Sequence, residues 1–296
     1  MGLLKALLEA MKWVLVALIL GVGITVGSGN AEPYVSPSAI PGGPEATFAG
    51  MFVGVVAVVL VVGQLQEVIR GDEWEAAGRH AGLQPEGNGG LRSLPDVSGT
   101  VDGVAVTART EKHTVNTGGE GGSTTVRYTL VEAELPGPAD DGVIVGRTGD
   151  GRMRAERGEV DVDDVVEHVS ADEGLVTAET GDLSAVGTSE PAVQAVINGP
   201  AGKATRSLEK LDLAHVGDAA AVVASYAETQ NEELEDSVFE FPVERLADRV
   251  PGDAATVTIE TKDLVLNVEE FRRQVVAVVA IADAFAEATV RASAHQ

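Results

Sequence analysis

The side chains of this chain that could carry chemistry are few in kind. Five histidines stand at positions 80, 113, 168, 215 and 295, none of them paired at the short spacings of a zinc signature. The tightest combination is Asp164, His168 and Asp172, which are four residues apart and would stack on one face of a helix running through all three. Such a triple could hold a metal or move a proton. Ser170 and Gly174 mark a helix end inside it, and a chain with 46 acidic residues produces such spacings by chance, so a solvated helical face is the simpler reading. A second constellation is basic: Arg147, Arg152, Arg154 and Arg157, four of fifteen arginines around a single turn. On a strand Arg152 and Arg154 share a face, and that face could meet anionic lipid head groups or an acidic partner. Internal pairing with neighbouring acids is the plainer alternative.

Other chemistries are missing. Serine nucleophile elbows, phosphate-cradling glycine loops and dinucleotide fingerprints do not occur after residue 70. The Gly118-Gly119-Glu120-Gly121-Gly122 loop lacks the Lys and the following helix that a phosphate cradle needs, and reads as a flexible strand connection. The absence of cysteine excludes disulfides, thiolate metal sites, a thiol nucleophile and lipidation through a cysteine. No catalytic residue, metal ligand or cofactor follows from these patterns. An enzyme would have to work through carboxylates with separated pKa values, so a membrane-tethered hydrolase using acidic residues is the alternative to an interaction or scaffold module.

The elements that would position any site begin with two apolar stretches. Ala46 to Leu65 runs for twenty residues without a charge, long enough as a helix to cover roughly 30 Å of hydrocarbon. Trp13 to Ala31, uncharged for nineteen residues, follows Lys5 and Lys12 and reads as a first span. A signal peptide ending at Gly29-Asn30-Ala31 competes with that reading, opposed by Glu9 and by the long region before the apolar core. The connecting segment 32–45 holds four prolines and two glutamates and no Lys or Arg, whereas Lys5, Lys12, Arg70 and Arg79 flank the pair on its other side. The positive-inside rule then places both termini in the cytoplasm and the acidic loop outside, giving a multi-pass protein of the cell membrane. Gly23 with Gly27 and Gly50 with Gly54 would let two helices approach, either each other or a second copy.

Four acids and three bases fall within residues 1–70, leaving 42 acids against 18 bases and a net charge of −24 on residues 71–296. Aliphatic residues recur there in strand and helix periods, which a disordered acidic tail would lack. A folded acidic domain poor in Lys is tolerable where salt is molar and the Debye length shrinks to about 3 Å, as in extreme halophiles. The same charge excludes nucleic acid, whose phosphates need clustered Lys and Arg. The partners left are the bilayer, another protein or a second copy of the chain.

Along residues 71–296 the patterns predict an α+β fold of antiparallel hairpins packed with helices, with a subdivision near 150–160. Gly71 should break the second span, with a capped helix from Asp72 to Ala81, a left-handed stop at Gly82 and Leu83 folding back beside Trp74. VSGTV and VAVTART flank Asp102-Gly103 as a hairpin, and TTVRYTLVEAEL adds a third strand with Val126, Tyr128 and Leu130 on one face and polar residues on the other. VIVGR and RMRAE should form a second hairpin around Thr148 to Gly151. Helices are expected over 162–169, over 190–198 with Ser189 as cap, over 206–211, and over 243–250 opened by Pro242. The stretch 218–228 is left between helix and strand. TVTIE and LVL should flank Thr261 to Asp263 as a hairpin, before a long helix capped by Asn267 with Glu270, stapled by Leu266 and Phe271, and striped by Phe271, Val275, Val278, Ala282, Phe285 and Thr289.

The two N-terminal spans, the W-E-A-A-G-R-H-A-G-L helix, V-S-G-T-V-D-G-V-A-V and T-T-V-R-Y-T-L-V-E-A together resemble uncharacterised membrane proteins of halophilic archaea. The resemblance covers the first half best. It implies location and architecture and carries no functional residue with it.

The charge generates a testable expectation. Residues 71–296, expressed alone, should lose circular-dichroism signal cooperatively as salt falls from molar to about 0.1 M, where the Debye length reaches roughly 10 Å. A fold insensitive to salt over that range would remove the argument.

Overall fold

A computed structural model of the chain describes residues 2–27, 43–87, 94–116, 123–137, 139–147, 152–155, 158–161, 174–223 and 255–293. Two compact units emerge, Met1–Asp72 and Glu73–Gln296.

The first unit consists of α1 (Gly2–Gly27) and most of α2 (Gly43–His80). Gln66 donates to Glu9 at 2.7 Å, and Ile19 packs 3.6 Å from where a Cβ on Gly54 would sit, so the two helices lie antiparallel. Of the glycine pair on α2, Gly54 is the one against α1, whereas Gly50 faces open space. Val16 and Val62 are buried, but most large apolar side chains of both helices, Trp13, Leu18, Phe52, Val53 and Leu60 among them, are exposed. Among the described residues one helix, over Ala49–His80, is long and apolar enough to cross a membrane, and its most apolar window is only 6% buried. Gly71 does not break α2. A glycine inside a helix costs about 1 kcal/mol, less than is recovered when Trp74 and Ala77 are buried one turn later, so the capping pattern at Asp72 is not used. The stop falls as expected at Gly82, whose φ is 89°; Leu83 N–H donates to Gly78 O at 2.9 Å and Gly82 N–H to Arg79 O at 3.2 Å, a Schellman arrangement.

The second unit is built on a nine-stranded, wholly antiparallel sheet. Its strands are β1 (Gln84–Glu86), β2 (Asp96–Val101), β3 (Val104–Asn116), β4 (Ser123–Glu134), β5 (Gly142–Arg147), β8 (Val176–Thr180), β9 (Leu183–Gly187), β10 (Leu213–Gly217) and β11 (Thr256–Lys262). The order is β1-β2-β3-β4-β11-β10-β5-β9-β8, and β6 (Arg152–Ala155) pairs separately with β7 (Gly158–Asp161). The first four strands are the expected meander, with Asp102 and Gly103 both at positive φ in the turn between β2 and β3.

Two helices pack on the sheet, α3 (Glu190–Ile197) and α5 (Val268–Ser293), and between them α4 (Gly199–Arg206) packs against both helices. The expected stripe on α5 is the one that is buried, from Phe271 to Phe285, facing Val131, Ala133, Val257, Ile259, Ala214 and Val216 in one core. Trp74 meets Phe271 edge-to-face with centroids 5.1 Å apart, and its indole N–H donates to Pro95 O at 2.8 Å.

Several sequence expectations fail for identifiable reasons. VIVGR and RMRAE do not form a hairpin. β5 is apolar on both faces and lies between β10 and β9, while β6 takes β7 as partner, with Arg152 opposite Asp161 and Arg154 opposite Glu159 in the register. LVL is not a strand, because β11 continues through Lys262 between β4 and β10 and leaves no free edge for it. The helix expected over 206–211 lies instead over Gly199–Arg206, opened by Pro200 in its first turn. Ser189 occupies the cap position of α3 without a side-chain cap, since Pro191 has removed one of the two N–H groups it would accept from. The strand TTVRYTLVEAEL is covered on both faces rather than one, as Thr129 and Val131 are as buried as Tyr128 and Leu130. Residues 219–223 are helical, settling part of 218–228. The helices expected over 162–169 and 243–250 lie outside the described residues.

Trp74 is the clearest core anchor. Trp74→Ala should destabilise the folded chain by about 3–5 kcal/mol in chemical denaturation at constant salt; a loss below about 1 kcal/mol would mean that the Phe271 contact does not form in solution.

Candidate functional site

Strand alternation sorts the polar side chains of the sheet by face. On β11, Val257 and Ile259 point into the core beneath α5, so Thr258 and Glu260 point to the opposite face. On β10, Ala214 and Val216 share that core, and His215 points the other way. The opposite face is itself buried over its centre: Leu130, Ile144, Val186 and Leu213 are each no more than 2% exposed, as are Thr258 and Glu260. His215 Nε2 and Glu260 Oε2 stand 3.9 Å apart there, diagonal neighbours across β10 and β11. An imidazole and a carboxylate this close and this deeply buried attract each other if the imidazole is protonated, and burial strengthens that attraction.

At the outer side of the same face, on β3 and β4, exposure rises and the groups become ionic. Arg109 donates to Glu132 from Nη2 at 2.8 Å and also bonds Glu111. The hydrogen bond that Arg109 donates to Glu132 holds its guanidinium above its ordinary pKa, more than offsetting desolvation. Arg109, Glu111 and Glu132 together with Glu260 and His215 make a polar band crossing four strands of a largely apolar sheet.

The arginines singled out by sequence are placed as follows. Arg147, at the end of β5, donates from Nη2 to Leu208 O and to Arg206 O at 3.4 Å, and its Nε lies 3.7 Å from Asp182 Oδ2. It ties the segment after α4 to the sheet. Arg152 and Arg154 occupy alternate positions of β6. Arg157 lies outside the described residues, as do Asp164, His168 and Asp172. No group of three or more metal-binding side chains occurs among the described residues.

A further ionic centre, around Glu270 and Arg273, pins elements together. Glu270 does not complete the capping box. Asn267 caps α5 by accepting from Glu269 and Glu270 N–H at 2.9 and 3.2 Å, while the Glu270 carboxylate turns to the backbone N–H groups of Glu209 and Lys210 at 2.8 and 3.3 Å and to Arg273 at 3.1 Å. Arg273 also pairs with Glu209 at 3.0 Å, whose hydrogen bond raises the guanidinium pKa. An open groove of ≈ 680 Å³ lies between the α3–α4 junction and the C-terminal part of α5.

The buried pair and the polar band were not visible in sequence. His215 sits in LAHVG and Glu260 in TVTIE, where period-2 alternation signals a solvated polar face. Nothing local says that this face is covered.

No family model matches the chain, and no curated protein matches it. Among solved structures it is similar to the mycobacterial trehalose monomycolate transport factor A, TtfA, at 7% identity and a TM-score of 0.38, over 73% of this chain and 93% of that one.

Separating the buried pair should be costly. Glu260→Leu or His215→Leu alone should destabilise by about 3–5 kcal/mol, and the double variant by clearly less than the sum, because it removes both members of the buried contact at once. Additive single effects in denaturant titrations would show that the two groups are not coupled.

Proposed function

We propose that the chain is a membrane-anchored interaction or scaffold protein, with α1 and α2 crossing the bilayer as a helical hairpin and the α+β unit in the cytoplasm. The observation that carries this reading is the exposed apolar surface of α2, which water would leave unsatisfied and hydrocarbon would cover. Lys12 lying over the Trp13 ring at 5.3 Å supports an interface at that end of α1, where amphipathic aromatics and snorkelling cations gather. Lys5, Lys12, Arg70 and Arg79 support the same side being cytoplasmic. The resemblance to membrane proteins of halophilic archaea and the net −24 of residues 71–296 support a high-salt setting. For contact with anionic lipid or an acidic partner, Arg152 and Arg154 with Arg157 are the remaining candidates, since Arg147 is engaged by backbone carbonyls.

Protease added to intact cells should spare the chain after Gly71 and digest it after lysis, and the protein should stay in the membrane pellet through an alkaline wash. Digestion without lysis would reverse the topology, and release by alkali would remove the spans.

A further inference from the structure

Asn198 is the single residue between α3 and α4, ending the one and opening the other. Its N–H donates to Gln194 O at 3.2 Å and its O accepts from Gly202 N–H at 3.0 Å, so the main chain is held on both sides. The side chain does not cap α4. Its amide instead donates from Nδ2 to Gln194 Oε1 at 2.6 Å, and its Oδ1 accepts a long bond from the Thr180 hydroxyl at 3.4 Å. The next residue, Gly199, is exposed, sits at φ 57°, and has no side chain to shield its N–H. That N–H is in the first turn of α4, where a helix provides no partner for its donors. An amide carbon is thus one ring closure from an accessible main-chain nitrogen, with a hydroxyl already on its oxygen.

We propose that Asn198 is a site of self-catalysed deamidation. Gly199 N attacks Asn198 Cγ and the new N–Cγ bond forms while charge gathers on Oδ1, where Thr180 donates. The Cγ–Nδ2 bond then breaks, and the side-chain nitrogen leaves as ammonia with the proton that Gly199 N has given up. Water opens the resulting succinimide. Attack at Cγ leaves aspartate in an ordinary backbone; attack at the main-chain carbonyl leaves isoaspartate, with the chain running through Cβ and Cγ. The two products differ in what they do to the junction. Gly202 meets the end of α3 so closely that a Cβ there would lie 1.9 Å from Ile197 O, and Arg206 reaches back to Ile197 O and Thr180 O at 3.3 and 3.5 Å. Isoaspartate lengthens the main chain by one carbon at the residue that joins the helices, and this packing has no slack to absorb it. Aspartate keeps the length and places its charge at the start of α4, where the helix dipole favours it.

The test ages the full-length protein at molar salt and mildly alkaline pH and follows its peptides by mass spectrometry, with fragmentation that separates aspartate from isoaspartate. The Asn198 peptide should convert faster than those of Asn116, Asn231 and Asn267, none of which precedes a glycine. Thr180→Val should slow conversion of the folded chain about tenfold, less than a well-aligned oxyanion donor is worth because the bond is long, and should leave the rate in denaturant unchanged. Thr180→Ser, which keeps the hydroxyl, should convert at the parent rate. Chains enriched in isoaspartate should unfold at lower denaturant than the parent, whereas Asn198→Asp should not. An Asn198 peptide that stays intact in the folded chain while it converts in denaturant would overturn the site. A folded Thr180→Val chain that converts as fast as the parent would overturn the self-catalysis.

Discussion

The pairing of β11 with β4 is the constraint on which the second unit depends. Seven residue pairs, from Thr256 with Glu134 to Lys262 with Tyr128, join a meander made early in the chain to strands made late. Without β11, β4 would be a free edge of a small sheet, and β10 would have an open flank beside a row of apolar residues. The contact spans more than a hundred residues of chain, yet closing so long a loop adds only slowly to its entropy, as the logarithm of length. Kinetics feel the separation more than stability does, because a sheet closed by its most distant strands has high contact order.

Polar side chains fix what that pairing positions. Thr129 donates to Asp263 O at 2.9 Å and accepts from Val265 N–H at 3.0 Å, holding the turn out of β11 against β4. Gln274 donates to Thr261 at 2.7 Å, tying α5 to the same strand from inside the core. Glu270 then anchors the start of α5 to the segment that leads into β10. Each of these buried groups would be costly if left alone, so together they specify one register among several that the apolar pattern would tolerate. Gly142 adds a steric condition where β5 begins, since a Cβ there would lie 1.9 Å from Asp218 O.

Local signals were legible and distant ones were not. Asp102-Gly103, the stop at Gly82, the cap at Asn267 and the stripe on α5 are each decided within a few residues, and each stands in the structure. Sequence misassigned β5 because its apolar faces demand two neighbours, and those neighbours, β9 and β10, lie far downstream. It misassigned LVL because the edges of β11 were already taken by strands that no local pattern names. Glu260 and His215 were missed for a related reason: alternation tells which face a side chain takes, but not whether that face meets water.

Arginine usage links the fold to the acidic surface. Arg109, Arg147, Arg206 and Arg273 are engaged with carboxylates or main-chain carbonyls that join separate segments. Arg206, for example, reaches Thr180 O and Ile197 O, joining the end of α4 to β8 and to the end of α3. A planar fork of donors suits this task better than an ammonium, consistent with fifteen Arg to six Lys in the chain. Engaging these cations leaves the net −24 of residues 71–296 unchanged, and its field extends into the surrounding solvent. For a domain tethered beside an anionic leaflet, as proposed, that field acts over roughly 10 Å at 0.1 M salt but about 3 Å at 1 M. High salt would then let the domain both stay compact and approach the membrane or its own copy.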